Sequence, residues 1–140
     1  MNMVQVRRKT KPRPQLVMWY LQNQPPVVPA IDGCRVRVYE PGDEQGWLEL
    51  LQANAELGDW DLQRVQRVLG ETHVQTFVEC GGRIVGCSGI NNKMRDGLAC
   101  WEIGWVAVDP AFQGRGIGKM ITGTAVARAL DLQRRPIYLL

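Results

Sequence analysis

The segment Val106-Ala-Val-Asp-Pro-Ala-Phe-Gln-Gly-Arg-Gly-Ile-Gly-Lys119 decides how this sequence is interpreted. It begins as an apolar run typical of a buried strand, which Asp109-Pro110 ends, and it then places three glycines within five positions. A helix is predicted directly after it, because apolar residues recur with helical spacing from Ile117. Glycine permits positive φ and lets a ligand approach the backbone closely. The N–H groups of such a loop, together with those of the helix start, suit a pyrophosphate.

Three kinds of phosphate-binding loop compete for this segment, and the spacing of their required residues separates them. A P-loop requires G-x-x-x-x-G-K-[ST], but Gln113 stands at the first glycine and Met120 at the hydroxyl position. A dinucleotide-binding loop requires G-x-G-x-x-G, and Lys119 replaces its third glycine. The pattern Q-x-x-G-x-G does fit, with Gln113, Gly116 and Gly118.

The remaining sequence predicts one α/β domain. Its apolar fraction of 45% and charged fraction of 22% are those of a globular protein, and its 140 residues are enough for a single core. The predicted elements are a strand at 34–39, a helix capped by Asp43, a second helix after Asp59, strands at 74–80 and 83–90 joined by Gly81-Gly82, a polar connection at 91–97, a strand at 99–108, a helix from Ile117 and a strand at 136–140.

Residues 1–33 are predicted to form an N-terminal extension. Its prolines disfavour regular ladders or helices, and its first 13 residues hold the basic cluster Arg7, Arg8, Lys9, Lys11 and Arg13. No acidic residue precedes Asp32, so the net charge of +3 belongs to this arm. A basic arm can bind nucleic acid, but a solvated arm explains the same charges, and nucleic acid is not the partner that we favour.

The cysteines and the single histidine do not predict a metal site. Cys34, Cys80, Cys87 and Cys100 contain no C-x-x-C pair, and His73 is interpreted as a residue at the end of a strand. We therefore expect reduced cysteines and a cytoplasmic protein without a metal. No apolar run approaches the 18 or so residues of a membrane span, and the apolar run at 16–21 is too short for a signal peptide.

The loop and its flanks resemble the central motif of the GCN5-related N-acetyltransferase (GNAT) superfamily. The family pattern is [QR]-x-x-G-x-[GA] after a strand ending near V-x-P, and the order of the elements in residues 34–140 also resembles that fold. The resemblance implies acetyl-CoA as cosubstrate, with its pantetheine arm along the end of the strand and its pyrophosphate on the loop. The coenzyme-binding residues would be Val106, Ala107, Val108, Gln113, Gly114, Arg115, Gly116, Ile117, Gly118 and Lys119.

Glu102 is the catalytic candidate that the resemblance indicates. It lies four residues before Val106 in Glu-Ile-Gly-Trp-Val, where it resembles the glutamate that accepts the proton of the amine in histone-type members. Desolvation among Trp101, Trp105 and apolar neighbours would strengthen it as a base. The alternative is a strand glutamate that faces solvent or pairs with a lysine.

The sequence departs from the family pattern at its C-terminus. Family members continue past the fifth strand into a helix, which supplies a tyrosine as general acid, and two more strands. The resemblance here reaches only to Leu140, and Tyr138 does not align with that tyrosine. The final strand would then have an unpaired apolar edge, which predicts a homodimer or a completing partner there. Two functions stay open: acetyl transfer to an amine of a small molecule or protein, and non-catalytic binding of acyl-CoA.

Overall fold

The structure is a computed structural model that describes residues 17–140, in which six strands form one mixed sheet. The elements are β1 (Met18–Tyr20), β2 (Cys34–Val38), α1 (Glu44–Gln52), α2 (Leu62–Glu71), β3 (Val74–Cys80), β4 (Arg83–Arg95), β5 (Leu98–Val108), α3 (Ile117–Asp131) and β6 (Ile137–Leu139). The strand order is β1-β6-β5-β4-β3-β2, and neighbours are antiparallel except for the parallel pair β5 and β6. The predicted α/β class and the order of the predicted elements are confirmed.

The helices cover both faces of the sheet. On one face, α1 and α2 pack against β3 and β4 through residues such as Trp47, Val65 and Phe77. On the other face, α3 packs through Ile121 against Val78. Successive strand residues point to opposite faces, so each helix layer receives alternate side chains of the central strands. The end of β5 and the start of α3 are held by this core.

The two tight hairpins of the sheet differ in how well the sequence predicted them. Gly81 and Gly82 have φ values of 58° and 78° and form the predicted turn. The predicted polar connection at 91–97 is wrong, because β4 continues to Arg95 and turns at Asp96-Gly97, where φ is again positive at both residues. An Asp-Gly pair is a strong signal for a two-residue hairpin, and the polar residues beside it belong to an exposed, extended pair of strands.

The N-terminal segment contributes a strand that the sequence pattern did not predict. β1 pairs antiparallel with β6, with Trp19 opposite Tyr138, and their rings lie 5.3 Å apart between centroids. The prediction that 1–33 contains no regular ladder is therefore wrong, because β1 ends before the first of the prolines at 25, 26 and 29. The prediction of an unpaired edge on β6 is wrong for the same reason. The basic cluster at 7–13 lies outside the described residues, and the domain boundary at 34 stays a prediction.

The expectation of four reduced cysteines is also wrong. Cys34 on β2 lies directly opposite Cys80 on β3, with 4.2 Å between their Cα atoms, and the two form a disulfide. Cys87 and Cys100 are free and buried. The sequence pattern did not reveal this pair because the cysteines are 46 residues apart and only the strand register brings them together.

Two aspartates at helix starts play different roles. Asp43 precedes α1 as predicted, but its carboxylate does not cap the helix and instead accepts two hydrogen bonds from Arg37, at 2.7 and 2.8 Å. Asp61 does cap α2, since its Oδ1 accepts a hydrogen bond from the backbone N–H of Arg64 at 2.8 Å. This cap fixes the first turn of α2 and with it the position of Arg64.

Candidate active site

The predicted loop leaves β5 through an aspartate that is almost completely buried. The carboxylate of Asp109 accepts a hydrogen bond from the N–H of Ala111 at 2.9 Å and forms an ion pair with Arg83. Its own N–H donates to the carbonyl of Val85 on the neighbouring strand β4 at 2.8 Å. These contacts fix the direction in which the chain leaves the sheet, and a short 3-10 turn at Pro110–Phe112 follows.

Gly116 ends the loop and begins α3. Its φ of 86° and ψ of 8° lie in the left-handed region that glycine adopts without strain. The first hydrogen bond of the helix runs from the N–H of Met120 to the carbonyl of Gly116 at 3.0 Å. The N–H groups of Ile117, Gly118 and Lys119 therefore have no acceptor within the helix, and they carry the positive end of its dipole.

A cleft of about 330 Å³ lies against this loop, and we call it the loop cleft. Eight of the ten residues predicted to bind coenzyme line it: Val106, Ala107, Val108, Gln113, Gly114, Gly116, Ile117 and Gly118. The other two, Arg115 and Lys119, are exposed side chains that do not line it, and the guanidinium of Arg115 lies 4.9 Å from the centre of the Phe112 ring. Asn54 and Glu56, from the connection between α1 and α2, line the cleft too, and neither was predicted from the sequence.

The end of β5 has a free edge beside the loop cleft. Within β5, only Trp101–Ile103 pair with β6. The residues at 104–108 therefore have no strand partner on that side within the described chain. On the other side, the ladder with β4 is irregular: Ser88 stands opposite both Trp105 and Val106 in a β-bulge. Trp105 has a φ of 49°, which is rare for a bulky residue and typical of functional sites.

Glu102 lies on the same strand, and two side chains hold its carboxylate. The hydroxyl of Tyr138 on β6 donates to Oε2 at 2.8 Å, and the amide of Asn91 on β4 donates to Oε1 at 3.3 Å. Gly104 leaves room for this arrangement, because a Cβ there would lie 3.1 Å from both Asn91 Nδ2 and Glu102 Oε1. Burial and the neighbouring carboxylate raise the pKa of Tyr138, so its hydroxyl stays a donor at neutral pH.

A second cavity, of about 530 Å³, contains Glu102, and we call it the Glu102 cavity. Its walls come from α2, from β4 and β5, and from Leu57 and Leu140. The charged side chains that line it besides Glu102 are Arg64, Arg67, Glu71 and Lys93. Val106 lines this cavity and the loop cleft as well. The two spaces therefore adjoin one residue at the bulge of β5.

Other reactive side chains near the bulge do not offer a competing chemistry. The thiol of Cys87 donates to the carbonyl of Trp105 at 3.1 Å, and burial raises its pKa to about 12, so it stays protonated and is a poor nucleophile. His73 directly precedes β3 and lies against Trp101, with 4.9 Å between ring centroids. Within residues 17–140, no three His, Cys, Asp or Glu side chains converge as metal ligands would.

The residues that reach the site from distant elements were not predicted from the sequence. The sequence predicts a polar connection around Asn91 and assigns no role to Tyr138, yet both bind the carboxylate of Glu102. Arg64 and Arg67 lie on α2, which was predicted only from its apolar pattern. No local signal identifies these residues, because strand register and helix packing bring them to Glu102.

A family model places the chain among known proteins. The model of the acetyltransferase (GNAT) family matches residues 38–139, and the chain belongs to that family. The matched range includes the loop and α3, and their role as the coenzyme-binding motif stays a prediction. Among the described residues, no helix is long and apolar enough to cross a membrane.

Individual relatives agree with this assignment. The chain is 35% identical over 74 residues to the N-alpha-acetyltransferase RimI of Mycobacterium tuberculosis, a match that covers 51% of this chain and 47% of that protein. The chain thus spans about half the length of this curated relative. A GNAT family acetyltransferase from Brucella melitensis, solved in complex with acetyl-CoA, shares its fold with a TM-score of 0.65 at 20% identity, over 76% of this chain and 75% of that chain. A GCN5-related N-acetyltransferase from Sphaerobacter thermophilus has a TM-score of 0.71 at 21% identity, over 88% and 40% of the two chains.

Proposed function

We propose that the protein transfers the acetyl group of acetyl-CoA to the amine of an acceptor by direct attack. The observation that carries this proposal is that Val106, at the bulge of β5, lines both the loop cleft and the Glu102 cavity. The loop cleft is lined by the glycine-rich loop. The Glu102 cavity contains the carboxylate that Tyr138 and Asn91 bind. A thioester lying at the bulge of β5 would be within reach of an amine beside Glu102.

The loop cleft is the proposed site of the coenzyme. The N–H groups at the start of α3 and in the glycine-rich loop would bind the pyrophosphate, because they are donors without partners in the helix. The free edge of β5 at 104–108 offers N–H and C=O groups to the amides of the pantetheine arm, as an added strand would use them. The side chains of Arg115 and Lys119 would add positive charge at the entrance, although they do not line the cleft.

The proposed chemistry needs a proton acceptor and a stabilised oxyanion. Glu102 accepts a proton from the amine, whose nitrogen then bonds to the thioester carbon. The negative charge moves to the carbonyl oxygen, where a backbone N–H near Val106 or Ala107 stabilises it. The carbonyl re-forms as the carbon–sulfur bond breaks, and the thiolate of coenzyme A that leaves takes up the remaining extra proton of the nitrogen, so the products are a neutral amide and the thiol. Asn91 and Tyr138 orient Glu102, since each donates to a different oxygen of the carboxylate.

The relatives support an amine acceptor. RimI is by name an N-alpha-acetyltransferase, and the Brucella melitensis protein was solved in complex with acetyl-CoA. Carried over to this chain, these two relatives favour acetyl-CoA and an amine of a small molecule or protein as the substrates.

Non-catalytic binding of acyl-CoA is the alternative, and one observation favours it. Both oxygens of Glu102 already accept hydrogen bonds from the protein, so an amine has to compete with Asn91 and Tyr138 for them. Thiol release from acetyl-CoA in the presence of an amine panel, measured alongside coenzyme affinity by calorimetry, separates the two functions. Tight coenzyme binding without amine-dependent thiol release would replace the transferase proposal by the binding module, and absence of both would reject the two together.

A further inference from the structure

The Glu102 cavity carries positive charge that the proposed transfer does not use. Arg64 and Arg67 reach it from α2, and Lys93 reaches it from β4. The ion pairs among residues 17–140 involve Arg35, Arg37 and Arg83 and none of these three. Three cations thus line one small cavity without a carboxylate of the described chain within salt-bridge distance. A cavity built to accept only an unsubstituted amine, itself a cation in water, gains nothing from such charges.

Arg64 is held in place before any ligand arrives. Its guanidinium lies 3.9 Å from the centre of the Trp60 ring and 5.5 Å from that of Trp105, the residue at the bulge. Its Nη1 donates to the carbonyl of Asp59 at 2.5 Å, and its backbone N–H is bound by Asp61. That hydrogen bond uses one of the five N–H donors of the guanidinium, and the remaining donors have no acceptor among residues 17–140. A guanidinium fixed by aromatic stacking loses little entropy when it binds an anion.

The carboxylates of the cavity do not neutralise these cations. Glu102 is held by Tyr138 and Asn91, and Glu71 lies one helical turn after Arg67 without approaching it within 4.0 Å. The cavity therefore presents a carboxylate at β5 and guanidinium groups on α2. This arrangement complements a molecule that carries a positive and a negative group together.

We propose that the acceptor is a small amine that also bears an anionic group, a carboxylate or a phosphate, bound by Arg64 with help from Arg67 and Lys93. The inference rests on the proposed acetyl transfer and deepens it, because it specifies the acceptor. A volume of about 530 Å³ lies in the range of small-molecule sites. Arg64 would bind the anion while Glu102 receives the proton of the amine, so the same contact that gives affinity also orients the reacting nitrogen.

Matched pairs of amines test this inference directly. We would measure acetyl-CoA-dependent acetylation of glucosamine and its 6-phosphate, phenylalanine and phenylalaninamide, and ethanolamine and phosphoethanolamine. The anionic member of at least one pair should have a kcat/KM about tenfold or more above its neutral partner, as one charge-assisted contact provides. The phosphate pairs and the carboxylate pair tell which anion is bound. Equal kcat/KM values within every pair, or a preference for a neutral peptide N-terminus over all of them, would overturn the inference.

Charge-removing variants connect the preference to the named residues. Arg64→Gln should raise KM for the preferred anionic amine about tenfold with little change in kcat, should change KM for the neutral partner much less, and should leave the affinity for acetyl-CoA within experimental error of the wild type. Arg67→Gln and Lys93→Gln should act in the same direction but less, because both side chains are exposed. Arg134→Gln is the control, since Arg134 is an exposed arginine that lies outside the Glu102 cavity. Arg64→Lys keeps the charge, and partial recovery of KM would separate loss of charge from loss of packing on Trp60.

The outcomes distinguish this inference from the proposed transfer. Acetylation of amines with no dependence on Arg64 would reject the anionic acceptor and retain the transferase. If no amine is acetylated, calorimetry with coenzyme A and the anionic amines gives the second readout. Arg64-dependent binding in that experiment would support the anion site while rejecting the transfer, and absence of binding would overturn the anion site.

Discussion

The loop cleft and the Glu102 cavity adjoin at Val106, yet they are built in opposite ways. Nine of the residues that line the loop cleft come from one segment, 106–118, and the donors proposed there are backbone N–H groups, which every residue except proline possesses. The Glu102 cavity consists of side chains from α2, β4 and β5, and its chemistry depends on which residues those are. A backbone site accepts one constant ligand part, whereas a side-chain site can be changed by single substitutions. The coenzyme is the constant partner of the proposed reaction and the acceptor is the variable one.

Removing the carboxylate of Glu102 should cause the largest effect in this comparison. Glu102→Gln keeps the shape of the cavity and removes only the proton acceptor, so kcat should fall by about a hundred- to ten-thousandfold. Affinity for acetyl-CoA, measured by calorimetry, should barely change, because the loop cleft is untouched. The loss should shrink at high pH, where the amine is already neutral. A wild-type rate at neutral pH would show that Glu102 does not accept the proton.

A negative side chain in the loop cleft should lower the affinity for the coenzyme, whereas Glu102→Gln lowers kcat. Gly116→Asp places a strained left-handed residue and a charge beside the proposed pyrophosphate, and coenzyme affinity should fall at least tenfold, about 1.4 kcal/mol. Gly97→Asp is the matched control, because Gly97 has a φ of 78° in the hairpin turn and does not line the cleft. Calorimetry of the two folded variants separates the effect on phosphate from the strain itself. Unchanged affinity in Gly116→Asp would remove the loop from the coenzyme site.

Tyr138→Phe should sharpen the description of the Glu102 cavity with a smaller effect. It deletes the hydrogen bond to Glu102 Oε2, and kcat should fall about threefold to tenfold while coenzyme affinity stays constant. The raised pKa of Tyr138 adds a readout. The phenol stabilises the fold below its ordinary pKa of 10, and that stabilisation is lost as the pH rises through the raised value. Above pH 9, the Tm of Tyr138→Phe should therefore depend less on pH than the Tm of the wild type. The same dependence of Tm on pH in both proteins would contradict the hydrogen bond between Tyr138 and Glu102.

Deleting the N-terminal segment up to residue 33 should have the smallest effect on the loop cleft and on the Glu102 cavity. A chain that starts at residue 34 loses β1 and the contact of Val28 with α3 at Gly123, but keeps every residue that lines the loop cleft. Compared with a chain that starts at residue 17, its Tm should fall by at least about 4 °C, or roughly 1 kcal/mol, and it should self-associate through β6. Coenzyme affinity should change less than threefold, since Ile31 only borders the loop near Gly116. A folded chain without coenzyme binding would show that the segment belongs to the site.

Much of the sheet could be predicted because its turns and strands have local signals. Gly81-Gly82 and the alternating runs beside it indicate the first hairpin, and Asp96-Gly97 is an equally local signal for the second. β1 could not be predicted in this way. It is three residues long, two of them exposed, and its only strand partner among residues 17–140 is β6, which lies at the opposite end of the sequence.

By itself, the sequence determined the segment at 106–118, which supplies nine of the eleven residues that line the loop cleft. The required glycines, the strand before them and the helix after them are consecutive, and backbone conformation at glycine is a local property. Only the tertiary structure decided the contacts between distant positions: Tyr138 with Glu102 across 36 residues, Cys34 with Cys80 across 46, and Arg64 with Trp105. Each of these depends on strand register or helix packing. Register and packing are set by the burial of apolar side chains summed over the whole sheet, and no single segment contains that sum.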